Sequence, residues 1–404
     1  MDRLIPADTA FVHREGLKEL TDELGAARGE VRFVGGIVRD TLLGIAAADV
    51  DLATVHRPED VLHTLKRAGI KVVPTGLAHG TVTAILPSGP VEVTTLRRDV
   101  ATDGRHATVA FTDDWHEDAA RRDFTINALY ADPLSLEVID YFGGLDDLAA
   151  SRVRFIGDPL QRIAEDHLRI LRFFRFHARF GDAPDADAPD TDALAACTER
   201  ANDLMALSRE RIAAELLKLL VAVHAPRVVA LMIDHGIFRP VLPEITQADR
   251  LIALAGREED AAIAPDPVRR LAALLPCNPA IAEDVGARLR LSNNDRRRLI
   301  AATADIGRES PAVLQYRLGA TFAADRLLLS DRPIGEAQGL AALITPIFPI
   351  KGGDLVSRGI GRGPDVARLL RIVEDQWIAE HFPDAHRAGH IADAAVARWL
   401  MSSR

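Results

Sequence analysis

Cysteine is nearly absent: Cys197 and Cys277 are the only two in 404 residues, and they lack metal-type spacing. A disulfide framework and a structural zinc site are therefore not expected, and a reducing cytoplasm suits the chain. Aromatic residues make up 5% of a sequence that is 48% hydrophobic. Its cores must then be built largely from Ala and Leu, which favours helix over most of the length. No apolar run reaches the length of a membrane span, and Met1-Asp2-Arg3-Leu4 lacks the core of a signal peptide. Two phosphate-binding signatures are also missing. Gly35-Gly36 is not followed by the third glycine of G-x-G-x-x-G, and no G-x-x-x-x-G-K-[ST] occurs.

The formal charge of −10 argues weakly against a polyanionic partner. Charge is segregated, however. Aspartates collect between Gly181 and Asp190, which reads as a solvated loop, while basic residues cluster at Arg97-Arg98, Arg105-His106, Arg121-Arg122, Arg162 to Arg179 and Arg288 to Arg298. A basic track on a net acidic protein remains open.

What is present begins with Val34-Gly35-Gly36-Ile37-Val38-Arg39-Asp40, followed by Asp49-Val50-Asp51. Two glycines close an apolar run and lead into an amphipathic stretch, so backbone N–H groups can approach phosphate oxygens. The β-branched content of Val50–Val55 predicts a strand, on which Asp49 and Asp51 would point the same way. Paired carboxylates repel unless a cation lies between them. Alone, the glycines read as a turn and the aspartates as surface charge; in this order they read as a nucleoside triphosphate site with Mg²⁺.

Residues 1–150 alternate β-like runs (Val31–Val34, Val50–Val55, Ile70–Val73, Thr81–Leu86, Val91–Leu96) with helical ones (Val38–Leu43, Glu59–Ala68), which predicts a compact head with a small sheet. Strand signals nearly vanish after Pro159. Leu160–Arg179 reads as one amphipathic helix, and further helices run to the end. The expected class is α+β, with a head over 1–150, a helical neck over 151–225, and a helical body and tail over 226–404.

Three further constellations carry chemistry. Glu92, a lone carboxylate in a strand-like run, reads as solvent-facing by itself and as a third acidic ligand beside Asp-x-Asp. Arg121-Arg122-Asp123-Phe124-Thr125-Ile126-Asn127 offers two arginines for a triphosphate and a carboxamide for a ribose hydroxyl. Along the neck, Arg169, Arg172, Arg175 and Arg179 recur at spacings of three and four and form one ridge. A solvated face with intrahelical ion pairs is the ordinary reading, yet Phe173, Phe174 and Phe176 flank it. Asp166 beside Arg169 also complements the donor–acceptor order of cytosine and adenine, and not that of uracil or guanine.

These stretches, GGIVRDTLLG, DVDLAT, TGLAHGTVTAI, VEVTTLRRDVATDGRHA, RRDFTINALY and RIAEDHLRILRFFRF, resemble class II CCA-adding enzymes. Those are tRNA nucleotidyltransferases of the polymerase-β-like superfamily, which also includes bacterial poly(A) polymerases. The tail stretch GGDLVSRGIGRGPDVARLLRIVEDQWI is similar to the family's C-terminal helices, more weakly. The resemblance implies a polymerase-β-like head with a mixed sheet, then an all-helical neck, body and tail. It implies that Asp49 and Asp51 bind Mg²⁺ in a two-metal site that Glu92 completes. It further implies that Gly35, Gly36 and Arg39 meet the nucleotide's phosphates, and that Arg121, Arg122, Asp123 and Asn127 handle triphosphate and ribose. Asp166 and Arg169 would pair with the base, with Arg172 and Arg175 supporting them. CTP, ATP and the tRNA acceptor arm are the implied partners, with no membrane.

Within that superfamily, poly(A) polymerases usually carry an arginine-rich stretch where this chain has Val72 to Gly80, so tRNA is the expected substrate. Enzymes adding only CC tend to lack the loop that here spans Arg97 to His106, so full CCA or terminal-A addition is expected. No His-Asp constellation of an appended phosphohydrolase is seen. A catalytically inactive RNA-binding relative is the alternative from another class.

Overall fold

The computed structural model describes residues 3–46, 49–102, 107–181, 189–305, 307 and 309–402, with side chains of 99–109 and 402 left aside. The strands are β1 (Val31–Val34), β2 (Asp51–Thr54), β3 (Lys71–Gly76), β4 (Thr81–Leu86), β5 (Gly89–Thr95), β6 (Arg97–Thr102), β7 (Ala107–Phe111), β8 (Leu129–Ala131) and β9 (Val138–Asp140). Seven form one sheet in the order β3-β4-β5-β2-β1-β8-β9, and β6-β7 form a separate two-stranded ribbon. Only β2 and β5 run parallel; the other ladders are antiparallel, so the sheet is mixed as expected. The runs expected from sequence became β1 to β5, with β1 and β4 at the expected ends and the ends of β2, β3 and β5 shifted. The last four strands lacked the alternation that would have marked them.

The β4–β5 hairpin turns over Pro87-Ser88, with Leu86 paired to Gly89. Gly89 has φ 115, a region that favours glycine. Arg14 donates to the Ser88 carbonyl at 2.9 Å and Ser88 Oγ donates to the Glu15 carbonyl at 2.8 Å, so the turn is pinned to the N-terminal segment.

The head helices are α1 (Leu17–Glu23), α2 (Gly36–Leu42), α3 (Pro58–Arg67), α4 (Trp115–Ala120) and α5 (Gly144–Ala149). The neck holds α6 (Pro159–Glu165), α7 (Arg169–Phe176), α8 (Thr191–Glu199) and α9 (Arg209–Leu220). The single helix expected over 160–179 is therefore two. Asp166 adopts an extended conformation (φ −149, ψ 106), and its carboxylate accepts the Leu168 N–H at 3.1 Å. An aspartate that bonds nearby backbone competes with helix, and here it ends one and starts the next. A π-helical turn, His177–Gly181, closes the segment. The acidic loop expected between Gly181 and Asp190 lies largely outside the described residues.

Helices α10 (Ala225–Asp234), α11 (Asp249–Asp260), α12 (Pro267–Leu274), α13 (Pro279–Arg288) and α14 (Asn293–Thr303) follow. Then come α15 (Pro311–Leu318), α16 (Ala320–Leu328), α17 (Ile334–Gly339), α18 (Gly352–Ser357), α19 (Pro364–Ala379) and α20 (Ala385–Ser402). By contact the chain makes two compact units: Met1–Ala255 with Pro265–Ile300, and Gly256–Ala264 with Ala301–Arg404. The second unit buries Trp377 among Leu355, Leu369, Val373 and Ile391, and the indole N–H donates to the Pro383 carbonyl at 2.7 Å. Among the described residues, no helix is long and apolar enough to cross a membrane.

Head and neck meet at an aromatic seam. Phe173 of α7 is fully buried and stacks on Phe155 (5.9 Å between centroids), with Phe124 at 6.4 Å and Phe174 at 5.2 Å. Beside it, Arg172 donates to Asp123 at 2.6 Å, and Asn127 donates to the other Asp123 oxygen at 2.9 Å. Phe173→Ala should cost about 3–5 kcal/mol, read as a lower urea midpoint at unchanged slope. Burial raises the Asp123 pKa, but Arg172 and Asn127 outweigh it and hold the carboxyl below its ordinary value. Its contribution is therefore full above about pH 4 and is lost as pH falls through the lower folded value. Asp123→Asn should be less stable than the parent at pH 7, with a gap that narrows in acid. A gap that does not change with pH would show that this pair is not its source.

Candidate active site

The site is built where β1 hands over to α2. Gly35 sits at φ 72, ψ −120, a conformation costly for any residue with a side chain. Space is not what selects glycine there: a Cβ on Gly35 would lie 3.5 Å from Arg122 Nη1 and 3.6 Å from the Asn127 carbonyl, ordinary contacts. Arg122 therefore faces the glycine turn. Arg39, one turn into α2, is also near, with its Nη2 3.7 Å from a Cβ placed on Gly36.

Across the sheet, Asp51 of β2 pairs in parallel register with Glu92 of β5, so their side chains share a face. Glu92 is exposed and Asp51 half-buried. Glu92 is not on a sheet edge, because β5 lies between β4 and β2. Burial pushes the Asp51 carboxyl up to about 6, Glu92 and Asp49 push in the same direction, and Arg122 opposes them. Two of the expected carboxylates, Glu92 and Asp49, thus act on the third, Asp51. Asp49 is exposed and precedes the strand rather than lying on it, because β2 starts at Asp51. Among the described residues, no three His, Cys, Asp or Glu side chains stand together as a ready-made metal cage. The donor set is nonetheless hard oxygen on mutually repelling groups, which suits a divalent cation such as Mg²⁺.

The arginines are engaged rather than solvated. Arg121 Nε reaches Asp118 Oδ1 at 3.0 Å, and Arg122 Nη2 reaches Asp118 Oδ2 at 3.0 Å. Tyr130 donates to the same carboxylate at 2.7 Å. Asn127, expected at a ribose, accepts from Arg39 and donates to Asp123, so its carboxamide is committed inside the protein. Arg39 is buried, pairs with Asp40 at 2.7 Å and lies 4.4 Å above the Phe180 ring.

Of the ridge expected on the neck, Arg169 is buried and Arg172 and Arg175 are half-buried, while Arg179 is exposed. Arg172 pairs with Asp123, Arg175 with Glu215 at 2.6 Å, and Arg179 with Asp40 at 3.0 Å. Phe173, Phe174 and Phe176 are buried beneath it, and Arg175 lies 4.2 Å over the Phe176 ring. Arg169 is buried, bonds Glu165 at 2.6 Å and spends two further N–H groups on the carbonyls of Arg162 (2.8 Å) and Arg121 (3.0 Å). It thereby satisfies the end of α6, and it fixes the Arg121-Arg122 segment. Asp166, next to it in the break, pairs instead with Arg211 at 2.9 Å and is 30% exposed at its side chain.

Sequence reasoning missed Asp118 and Arg211. Asp118 stands three and four residues before Arg121 and Arg122, a helical spacing that could have found it. Arg211 is 45 residues from Asp166 and carried no local signal. The loop expected over Arg97 to His106 begins as β6, and residues 103–106 lie outside the described residues.

Residues 31–154 match the family model "Poly A polymerase head domain", and residues 188–249 match "Probable RNA and SrmB- binding site of polymerase A". The mitochondrial CCA tRNA nucleotidyltransferase 1 of Mus musculus is 36% identical over 379 residues, 90% of this chain and 86% of that protein. The CCA-adding enzyme of Levilactobacillus brevis is 44% identical over 193 residues, 47% of this chain and 46% of its own. Among solved structures, the Bacillus stearothermophilus CCA-adding enzyme in complex with CTP superposes with a TM-score of 0.71 at 25% identity, covering 95% of this chain and 97% of that one. The Thermotoga maritima CCA-adding enzyme complexed with tRNA_CCA shares the fold (TM-score 0.65, 21% identity, 98% and 100% coverage). With more than a third of its residues identical to the mouse enzyme over nine-tenths of its length, the chain belongs to the CCA tRNA nucleotidyltransferase family.

Proposed function

We infer that this chain adds CCA, or its terminal A, to the 3′ end of tRNA from CTP and ATP, releasing pyrophosphate, with no nucleic-acid template. The observation that carries this reading is the pairing of Asp51 with Glu92 near an arginine, Arg122, whose Nη1 faces the Gly35-Gly36 turn. Arg122, with Arg121 behind it, meets the triphosphate, while Gly35 and Gly36 let backbone approach the phosphates. The superfamily's transfer chemistry uses divalent cations, and here Asp49, Asp51 and Glu92 would hold Mg²⁺ in a two-metal arrangement. When bound, Mg²⁺ supplies charge neutralisation at the α-phosphate and the leaving pyrophosphate. The protein's own task is to align the tRNA 3′-OH with the α-phosphate for in-line attack.

Base choice falls to Asp166 and Arg169 at the helix break. Asp166 accepts from the exocyclic amine of cytosine or adenine, and an Arg169 N–H left over from its backbone bonds donates to the ring nitrogen. Arg172 and Arg175 keep this helix docked, as do Asp123, Asn127 and Arg39 from the head side. In this reading residues 1–150 perform transfer, 151–225 select the base, and 226–404 hold the tRNA by backbone and shape. Two free cysteines suit a reducing compartment, and the cytoplasm is the assignment made here, although the mouse relative is mitochondrial by name.

The test is primer extension with Mg²⁺ on tRNA transcripts ending before CCA, after C and after CC. Each is offered CTP, ATP, both, or UTP with GTP. Stepwise C, C, A that then stops is expected. A alone on the CC-ended transcript would narrow the enzyme to A addition, long A tails would make it a poly(A) polymerase, and no extension would favour the inactive RNA-binding relative. Asp51→Ala should abolish transfer with tRNA binding kept; surviving activity would refute the metal assignment. Gly35→Ala should lower kcat/KM for both nucleotides about tenfold or more, because the strained φ displaces the turn. An unchanged value would remove that turn from the phosphate site.

A further inference from the structure

Asp118 on α4 is 1% exposed, yet it contacts two separate parts of the head. Its Oδ1 accepts from Arg121 Nε at 3.0 Å and from the backbone N–H of Arg97, the first residue of β6, at 3.2 Å. Its Oδ2 accepts from Arg122 Nε at 3.3 Å, Arg122 Nη2 at 3.0 Å and the Tyr130 hydroxyl at 2.7 Å. A carboxylate has about four lone-pair sites, so this one is saturated. Burial alone would raise its pKa, but Arg122, Arg121, Tyr130 and the Arg97 N–H hold it far below the usual range.

Two consequences follow. One carboxylate serves two guanidiniums, so the cluster keeps a unit of positive charge. Arg122 is also gripped through Nε and Nη2, which leaves Nη1 for the glycine turn.

The ribbon side is gripped as well. The neighbouring Glu117 accepts from Thr112 Oγ1 at 2.6 Å, just past β7, and lies 3.6 Å from Arg98 of β6. Thr112 donates its N–H to the Leu96 carbonyl at 3.0 Å, and Arg97 pairs with Phe111 across the ribbon base. Adjacent carboxylates on one short helix therefore hold both strands of the ribbon, and one of them also holds Arg122.

We propose that Asp118 is a positioning residue that couples the β6–β7 ribbon to the triphosphate-facing edge of Arg122. Movement at the ribbon base shifts α4, and α4 shifts the guanidinium. The proposal rests on the reading of Arg122 as a triphosphate ligand.

A double-mutant cycle tests it, read on equilibrium binding of MgCTP and of inorganic tripolyphosphate to the full chain. Asp118→Asn should weaken binding of both ligands by 10- to 100-fold. Glu117→Gln, which releases only the ribbon base, should weaken binding about threefold in the parent and by nothing measurable in the Asp118→Asn background. Fold-changes that multiply independently would overturn the coupling, as would a Glu117→Gln protein that binds like the parent. If Asp118→Asn loses its far-UV CD signal, Tyr130→Phe replaces it in the cycle, with a smaller effect in the same direction. Parent protein that binds tripolyphosphate but does not extend tRNA would defeat the functional reading while the cycle still decides the coupling. No binding by the parent would defeat both.

Discussion

The head and neck are held in one geometry by buried carboxylates that take arginines from both sides. Asp123 takes Arg172 on one oxygen and Asn127 on the other, Asn127 accepts from Arg39, Arg39 pairs with Asp40, and Asp40 takes Arg179. Asp123, Asn127, Arg39 and Asp40 are each costly to bury alone, so loss of one partner strands the next. Such a chain adds little net stability over an apolar contact, but it permits only one relative arrangement of α2, the Asp123–Asn127 segment and α7. The Gly35-Gly36 turn and the helix break at Asp166 are positioned by that arrangement.

The same sharing acts at the site. Asp118 serves two guanidiniums and leaves positive charge in excess, as Asp40 does between Arg39 and Arg179, while Asp51 has negative neighbours and a raised pKa. In the proposed reading, phosphate on the arginine side and a cation among the carboxylates would satisfy both excesses of charge.

How much of this was legible in sequence follows from the range of each interaction. Gly35-Gly36, Asp51 and the strands through β5 are local patterns, and they were readable because turn and strand preferences act over a few residues. The helical remainder followed from the change of period near Pro159, whereas the mixed sheet followed from the family resemblance. Partner choice was not legible. Nothing local says that Arg175 meets Glu215, that Asp166 meets Arg211, or that Asn127 faces inward. The break at Asp166 was hidden for a related reason: the apolar spacing continues across it, and only the carboxylate's bond to the Leu168 N–H interrupts the helix.

The Pro87-Ser88 turn has a consequence far from its own position. Side chains alternate along a strand, so a ladder displaced by one residue exchanges its two faces. Glu92 stands three residues past Gly89 and lies beside Asp51 only because Leu86 pairs with Gly89, which counts the strand forward correctly. The hairpin tip, tied down by Arg14 and Glu15, is in effect the zero mark from which Glu92 is measured. Tolerance to insertion there is thus set by parity: one extra residue taken up in β5 turns the glutamate away, whereas two restore its face.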